Sequence, residues 1–257
     1  MPTPSRFFPL VFIGLLTVGT AAAWAAEGST SVSPGMVSGY IFRGQDRGGA
    51  ALQTAVDATR GNFGAGLWTS FPLEGSGALS PGTEVDFYAV QNLSMGGTFV
   101  VTPGATLYTY PRAERALGFR RTTFEPSLAI SGAVAGVRVT PKLSHDFDLE
   151  ATTLEVSAVY ALALPSLGTE LDFNGAAGTY LRREDVPGVT GARKAWGNYW
   201  QVGVSLPYQV SFRTKLVVGW TYAAGSGAFV KSGSVPRLAD PRTASRGFAS
   251  LGFSTTF

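Results

Sequence analysis

The sequence predicts an all-β fold, a single antiparallel transmembrane β-barrel of about twelve strands with short periplasmic turns and longer extracellular loops. Three observations predict it. An apolar leader opens the chain, short segments of alternating polar and apolar residues follow, and the connections between those segments alternate between short and long. A closed barrel accounts for all three, because lipid offers no hydrogen-bond partner to unpaired backbone groups.

The composition supports a membrane barrel over a soluble enzyme. Hydrophobic residues make up 45% of the 257 positions and charged residues 14%, against roughly 25% charged residues in soluble domains. The 33 glycines and the 12% of aromatic residues suit strands that face lipid and turn tightly. The 20 basic residues form no run or stripe, which argues against nucleic acid as a partner. The absence of cysteine excludes disulfides and thiolate metal sites.

The first element is an export signal. Arg6 is followed by an apolar stretch over residues 7–18 and by the small-residue site Ala-Trp-Ala at 23–25. This order predicts a cleaved signal peptide over residues 1–25 and an outer-membrane barrel over residues 26–257. The alternative, an uncleaved anchor helix, is disfavoured by the proline and glycines that interrupt the apolar stretch.

The strands follow as segments with a period of two. In the clearest segment, Val85 and Phe87 point one way while Glu84 and Asp86 point the other. A soluble sandwich would alternate as well, but soluble strands average about 5–6 residues, and many of these segments reach the roughly 9–11 residues that cross a bilayer. Strands are predicted over 32–42, 50–58, 62–70, 83–93, 96–110, 119–131, 133–144, 149–163, 168–181, 194–206, 210–222 and 246–257.

The connections fall into two sets of different length. The tight ones are predicted at 59–61, 94–95, 132, 164–167 and 207–209, and the longer ones at 43–49, 70–82, 111–118, 145–148, 182–193 and 223–245. A sandwich has no reason to sort its loops by parity, whereas a barrel has short turns on the periplasmic side and long loops outside. At the other end of the chain, Phe253 and Phe257 share an apolar face, and a terminal aromatic residue resembles the signal that barrel-assembly machinery recognises.

Charged residues on the polar face of the strands are expected to line the lumen, because Arg or Lys facing lipid costs roughly 2–4 kcal/mol at the midplane. The lumen-lining candidates are Arg43, Asp57, Glu84, Asp86, Tyr88, Arg121, Glu125, Arg138, Lys142, Glu155, Glu170, Asp172, Arg213 and Lys215. The numbers of acidic and basic residues among them are nearly equal, which predicts a lumen that contains ion pairs and has no strong preference for cations or anions. Glu84 and Asp86 are expected to pair with Arg43, Arg121 or Arg138.

Several motifs together resemble a known family. They are Tyr40-x-Phe42-Arg43-Gly44, Gln53, Gly66-x-Trp68-x-Ser70 and Glu84-x-Asp86-x-Tyr88, continued by Tyr108-x-Tyr110-Pro111 and Tyr199-Trp200-x-Val202-Gly203. The chain is similar over residues 36–222 to the Gcw_chp family, conserved bacterial proteins of unassigned function that are taken to be outer-membrane barrels. The resemblance implies a barrel and transfers no catalytic residue.

Neither a catalytic residue nor a metal or cofactor site is predicted. The single histidine, His145, lies between Ser144 and Asp146, but neighbours along a strand or turn do not converge on one substrate as a triad must. An acidic stretch follows it, and its spacing lacks the glycine and terminal glutamate of an EF-hand loop. The protein is therefore expected not to be an enzyme.

Three functions remain open at this stage. The first is a narrow channel for small polar solutes, which the loop 223–245 constricts if it folds inward. The second is a structural or interaction barrel with a closed lumen, and the third, least favoured, is an outer-membrane enzyme. The expected partners are outer-membrane lipid, barrel-assembly machinery and, for the channel, a small polar solute.

Overall fold

The structure, a computed structural model, describes residues 28–257 except 75–79, 97–98, 184 and 234–236. The predicted signal peptide over residues 1–25 lies outside the described residues. In the described part of the chain, no helix has the length and apolar character needed to cross a membrane.

Strands make up nearly all of the regular structure. In chain order they are β1 (Ser29–Val37), β2 (Tyr40–Phe42), β3 (Gln45–Gly48), β4 (Ala51–Arg60), β5 (Phe63–Pro72), β6 (Glu84–Gln91), β7 (Leu93–Ser94), β8 (Val100–Thr109), β9 (Thr122–Val134), β10 (Val137–Asp146), β11 (Ala151–Leu164), β12 (Thr169–Arg182), β13 (Ala192–Gln209), β14 (Thr214–Lys231), β15 (Leu238–Ala239) and β16 (Ser245–Thr256). Two short 3₁₀ turns cover Arg115–Leu117 and Pro165–Leu167.

Twelve of the described strands form a closed antiparallel barrel, as the sequence predicts. The order around the wall is β1, β4, β5, β6, β8, β9, β10, β11, β12, β13, β14 and β16. The first and last strands pair with each other, with Val37 opposite Ser250 and Ser31 opposite Thr256. Closure removes the free edges at which an open sheet would pair with another chain.

The two faces of the wall differ sharply in polarity. On β6, Phe87 points outward and is 51% exposed, while its neighbours Glu84 and Asp86 point inward and are buried. The outer belt includes Leu52, Val56, Leu107, Leu128, Leu154, Val156, Val218, Leu251 and Phe253. Soluble proteins rarely expose apolar patches larger than a few hundred Å², so this belt is the lipid-facing surface of a transmembrane barrel.

The short connections lie at the end of the barrel that holds Ser29 and Phe257, and the long loops lie at the other. The turn after β9 is formed by Ala135 and Gly136, with φ of 49° and 81°. Two successive positive φ angles match the twist of a tight hairpin. The sequence placed this turn at Gly132, but β9 continues to Val134.

Several predicted strand ends differ from the structure, and the turn predicted at 207–209 lies inside β13, which runs to Gln209. The strand predicted over 32–42 leaves the wall after Val37, and its last residues belong to the separate β2. The loop predicted over 223–245 is shorter, because β14 runs on to Lys231. Gly225 and Gly227, which indicate a loop by composition, continue the inward alternation between Ala223 and Phe229.

Candidate functional site

A hairpin made of β2 and β3 folds into the extracellular half of the barrel. Its two strands pair antiparallel, and its tip is Arg43-Gly44, with φ of 50° and 72°. Tyr40 is 9% exposed and Ile41 2% exposed, as for residues in a protein core. The prediction that residues 43–49 form an outward loop after a crossing strand is therefore wrong. This hairpin is the candidate functional site.

Apolar contacts hold the hairpin against the wall on either side of β1. Tyr40 packs with Ala55, Trp68 and Tyr88 of β4, β5 and β6, and its ring lies 5.6 Å edge-on from the ring of Trp68. Ile41 packs with Ala223 and Phe248 of β14 and β16. From there the hairpin crosses the lumen, because Gln45 bonds to Tyr180 of β12, which lies opposite β5 in the ring.

Arg43 is bound by a buried carboxylate on β9. Its Nη1 and Nη2 atoms donate to the two oxygens of Glu125 at 2.6 and 2.8 Å, and Nη2 also donates to Ser144 Oγ at 3.3 Å. Glu125 accepts a further bond from the Tyr108 hydroxyl at 3.2 Å. Burial lowers the pKa of Arg43, but Glu125 and its neighbours outweigh burial, so the net pKa lies well above its ordinary value. The pair is a bidentate, charged anchor.

Glu84 is held by two phenols. It is 1% exposed, and it accepts hydrogen bonds from Tyr40 at 3.0 Å and Tyr110 at 2.9 Å. Burial, and after it the charge of Glu84, raises the pKa of both tyrosines well above the usual value. Both phenols therefore keep their protons and act as donors. Arg47 of β3 lies over the rings of Phe42 and Tyr110, at 5.6 and 5.9 Å from their centroids.

The tip of the hairpin reaches the far wall without a side chain. A Cβ atom on Gly44 would lie 2.6 Å from the Cα of Gly225 and 2.8 Å from the Cβ of Tyr199. Only glycine fits this approach, and the positive φ also favours it. Next to it, Gln45 donates to the Tyr180 hydroxyl at 3.2 Å, while Tyr199 donates to Glu155 at 2.7 Å.

The last long loop covers the hairpin from outside. The amide of Asp46 donates to the carbonyl of Arg242 at 2.7 Å, and the amide of Ala244 donates to the carbonyl of Gly44 at 3.0 Å. Arg242 itself is 4% exposed and pairs with the buried Asp240. The loop that fills the lumen is the first one, residues 40–48, and not 223–245, of which residues 240–244 lie over the hairpin.

The structure places most sequence-predicted lumen residues on the inner face. On the wall these are Asp57, Glu84, Asp86, Tyr88, Glu125, Arg138, Lys142, Glu155, Glu170, Asp172 and Lys215. Arg43 enters the lumen through the hairpin. Arg121 does not: it precedes β9 at the rim, is exposed, and donates to the carbonyl of Ala113 at 3.3 Å. Arg213 lies exposed in a periplasmic turn, 5.0 Å over the ring of Phe212. Both precede a strand, so no wall position directs them inward.

The expected ion pairs of the lumen differ from those observed. Glu84 was expected to pair with an arginine, but it accepts from tyrosines, and Arg43 pairs with Glu125 instead. Tyr88 likewise donates to Asp57. The sequence analysis missed this use of tyrosine, although Tyr88, Tyr108 and Tyr199 occupy inward positions of their strands. Their position on the inward-facing side of the alternation is the sequence signal that could have identified them.

The periplasmic half of the lumen is lined by small polar side chains. Thr102, Ser127, Ser131, Thr140 and Lys142 are among those that surround a cavity of about 30 Å³. The hydroxyls of Ser131 and Thr140 lie 2.9 Å apart. This half therefore holds room for a little water, whereas in the extracellular half the inserted hairpin packs against the wall.

His145 lies outside the lumen. It belongs to β10 rather than to a loop, its Nδ1 atom lies 2.9 Å from the hydroxyl of Thr152, and its ring stands edge-on to Phe147 at 5.0 Å. In the described part of the chain, no three His, Cys, Asp or Glu side chains are grouped so that they could hold a metal ion.

Solved structures with a similar fold are outer-membrane proteins. The NanC porin matches with a TM-score of 0.51 and 12% identity, over 88% of this chain and 98% of that chain. A bacterial polysaccharide outer-membrane secretin matches at 0.43 and 10%, over 90% and 98%. An outer-membrane channel from Pseudomonas putida F1 matches at 0.42 and 11%, over 91% and 97%. At these identities the likeness concerns the fold.

In sequence, no curated protein matches the chain. A family model does: the one described as a bacterial protein of unknown function, Gcw_chp, matches residues 22–227. This range contains the hairpin, its anchors Glu84 and Glu125, and most of the wall. The resemblance in the hairpin and strand motifs is thereby confirmed, and the chain belongs to the Gcw_chp family.

Proposed function

We propose that the protein is a channel of the bacterial outer membrane for small polar solutes, and that the β2–β3 hairpin closes it in the conformation described here. The proposed channel catalyses no reaction. The observation that carries it is what fills the lumen: a hairpin joined to the wall at its two ends, and not the side chains of the wall.

The size of the barrel supports this reading. About eight strands enclose a lumen that side chains alone can fill, and twelve strands enclose a wider one. The extra space is filled by nine residues of backbone, 40–48, that leave the wall near Gly39 and rejoin it near Gly49. A segment of this kind can move out as a unit, whereas wall side chains cannot.

The wall behind the hairpin also supports it. Glu84, Glu125 and Ser144 would face water if the hairpin left, and water would then replace the hydrogen bonds that the hairpin makes. A hydrogen bond to a charged group contributes about 1.5–3 kcal/mol, and water can solvate the carboxylates once they are exposed, so a polar wall tolerates opening at a moderate cost. An apolar wall would not.

The structure of the NanC porin adds support from a second direction. That protein is a porin by its description, and its fold covers 88% of this chain with a TM-score of 0.51. The belt of outward apolar residues on β4, β6, β9 and β11 is suited to lipid and supports placement in the membrane.

A closed-lumen interaction barrel is the second candidate. The tight packing around Glu84 and Glu125, at 1% and 2% exposure, favours it. On this reading the hairpin never leaves, and the extracellular loops carry the function.

Conductance separates the two candidates. We would refold the full chain and a variant in which residues 40–48 are replaced by a short Gly-Ser linker, and record both in planar bilayers. The channel predicts a steady conductance step for the variant and small or infrequent steps for the unmodified protein. Arg121→Gln serves as the control, because it changes the charge of the same rim without touching the hairpin.

A hairpin-replaced barrel that folds but shows no step above the background of lipid alone would exclude the channel. The closed-lumen barrel would then be the function to pursue. Folding itself is checked by the β-rich circular dichroism spectrum.

A further inference from the structure

We infer that the extracellular mouth holds an anion-binding site, directly above the hairpin, that takes the phosphate or carboxylate group of a small solute. This deepens the proposed function, on which it rests for its biological role, by naming the chemical class of the solute.

Four arginines from four separate segments line one pocket. They are Arg47 of β3, Arg120 before β9, Arg182 at the end of β12 and Arg242 in the last loop, and the one carboxylate among the lining residues is Asp46. Guanidinium groups match phosphate and carboxylate oxygens in a two-pronged geometry. Four that converge on one cavity favour an anion.

Two of the nearby acids, Asp46 and Asp240, are paired with arginines. Asp46 accepts from Arg246 Nη2 at 2.8 Å, and Arg246 is not among the lining residues. Asp240 pairs with Arg242, and both are buried. Asp46, the acid at the pocket wall, is therefore already paired with an arginine outside the lining, which reduces its repulsion of a bound anion.

Arg47 offers an unused donor. Its Nε atom is buried and has no hydrogen-bond partner, although its guanidinium lies over the rings of Phe42 and Tyr110. Native structures rarely leave a buried polar donor unsatisfied. An oxygen of a bound anion is the kind of partner that this donor lacks.

The surrounding loop adds to the positive field. Between β8 and β9, four arginines stand against one glutamate: Arg112, Arg115, Arg120 and Arg121 against Glu114. A mouth of one sign concentrates solutes of the opposite sign. The near balance of charges that the sequence predicts for the lumen thus does not extend to this part of the rim.

The pocket is small, which limits what it binds. Its volume of about 40 Å³ holds about three water molecules, and so fits one carboxylate or phosphate group with the rest of the solute outside. Tyr110 and Phe119 also line it, and they offer apolar surface beside the charged group.

Calorimetric titration tests the site in the full refolded protein. The probes are inorganic phosphate and glucuronate, with glucose as the uncharged counterpart of glucuronate. We expect both anions to bind and glucose not to bind. In Arg120→Gln with Arg182→Gln, binding should weaken about tenfold or more, because the pocket loses two charged hydrogen-bond donors.

The matched control is Arg112→Gln with Arg115→Gln, which removes the same charge from the same loop region outside the pocket. It should change the affinity less than about threefold, through the general field alone. Equal losses in both double variants, or binding of glucose as tight as that of glucuronate, would overturn the site. If the Arg182 variant does not fold, Arg120→Gln alone, an exposed position, must still weaken binding measurably.

Two sources of the anion are distinguished by a further titration with lipid A in detergent. Binding of lipid A that depends on Arg120 and Arg182, with no binding of phosphate or glucuronate, would overturn the solute as the ligand and assign the site to a lipid phosphate.

The failure of the site and the failure of the channel can be told apart, because calorimetry needs no conduction. Anion binding by a barrel that never conducts would exclude the channel and keep the site. Conduction without anion binding would remove the site alone.

Discussion

In the extracellular half of the lumen, Glu84 and Glu125 are almost completely buried, and both accept hydrogen bonds from the inserted hairpin. In the periplasmic half, Ser131 and Thr140 bond to each other beside a small cavity, and no described part of the hairpin reaches them. The extracellular half is filled by the hairpin, which brings its own charged side chains. The other is lined by short side chains of the wall.

The difference shows that one part of the molecule, the hairpin, closes the lumen, while another part, the paired strands of the wall, stabilises the barrel. Strand pairing holds the wall together in both halves, so the barrel does not need the hairpin for its architecture. The hairpin, however, needs the wall, because Arg43 would have no countercharge without Glu125. Substitutions above the midpoint of the lumen should therefore affect stability and permeability together, and those below it should affect permeability more.

The largest effect is expected from Arg43→Gln. Removal of the cation leaves Glu125 buried without its partner, and breaking a buried ion pair from one side costs about 3–5 kcal/mol. We expect the free energy of unfolding to fall by about that amount, unless the hairpin moves out and lets water reach the carboxylate. Urea unfolding of the refolded protein in lipid vesicles measures the loss.

The double variant Arg43→Gln with Glu125→Gln is the control for that loss. It has no unpaired charge and should be more stable than Arg43→Gln alone, which gives a coupling energy between the two positions. Additive effects would show that the pair seen in the structure does not act as a pair.

The next effect is expected at the tip, from Gly44→Ala. A methyl group there meets Gly225 and Tyr199, and overpacking of this kind costs about 1–3 kcal/mol. Gly61→Ala is the matched control, because Gly61 also has a positive φ of 56° but nothing within 4 Å of the added atom. If both variants lose equal stability, the close contact at the tip is not what matters.

A smaller effect is expected from Tyr110→Phe. Glu84 then loses one of its two phenol donors, and a hydrogen bond to a charged group contributes about 1.5–3 kcal/mol. The loss should lie near the lower end, since Tyr40 still donates. Tyr208→Phe, at an exposed position, should leave urea unfolding unchanged. A loss in both would indicate a general effect of removing a hydroxyl.

Structural features that depend on adjacent residues could be predicted from the sequence, whereas contacts between distant segments could not. The inward direction of Glu84 and Glu125 follows from alternation, a property of adjacent residues. The bond between Arg43 and Glu125 joins residues 82 positions apart, and no periodicity marks a loop that turns inward. Arg43-Gly44 was interpreted as a strand that meets an outward loop, and the same two residues make the tight turn of the inserted hairpin.

The smallest effect on stability is expected from Lys142→Gln, in the periplasmic half. Lys142 lies opposite Glu155 across neighbouring strands and lines the cavity with Thr140 and Ser131, where glutamine can also form hydrogen bonds. We expect a change in the free energy of unfolding below about 1 kcal/mol. In the hairpin-replaced barrel, however, the reversal potential in a salt gradient should shift toward cations, because the lumen loses a positive charge. Arg60→Gln, at the exposed periplasmic end of β4, should shift it less. Equal shifts would mean that the current does not pass the cavity beside Lys142.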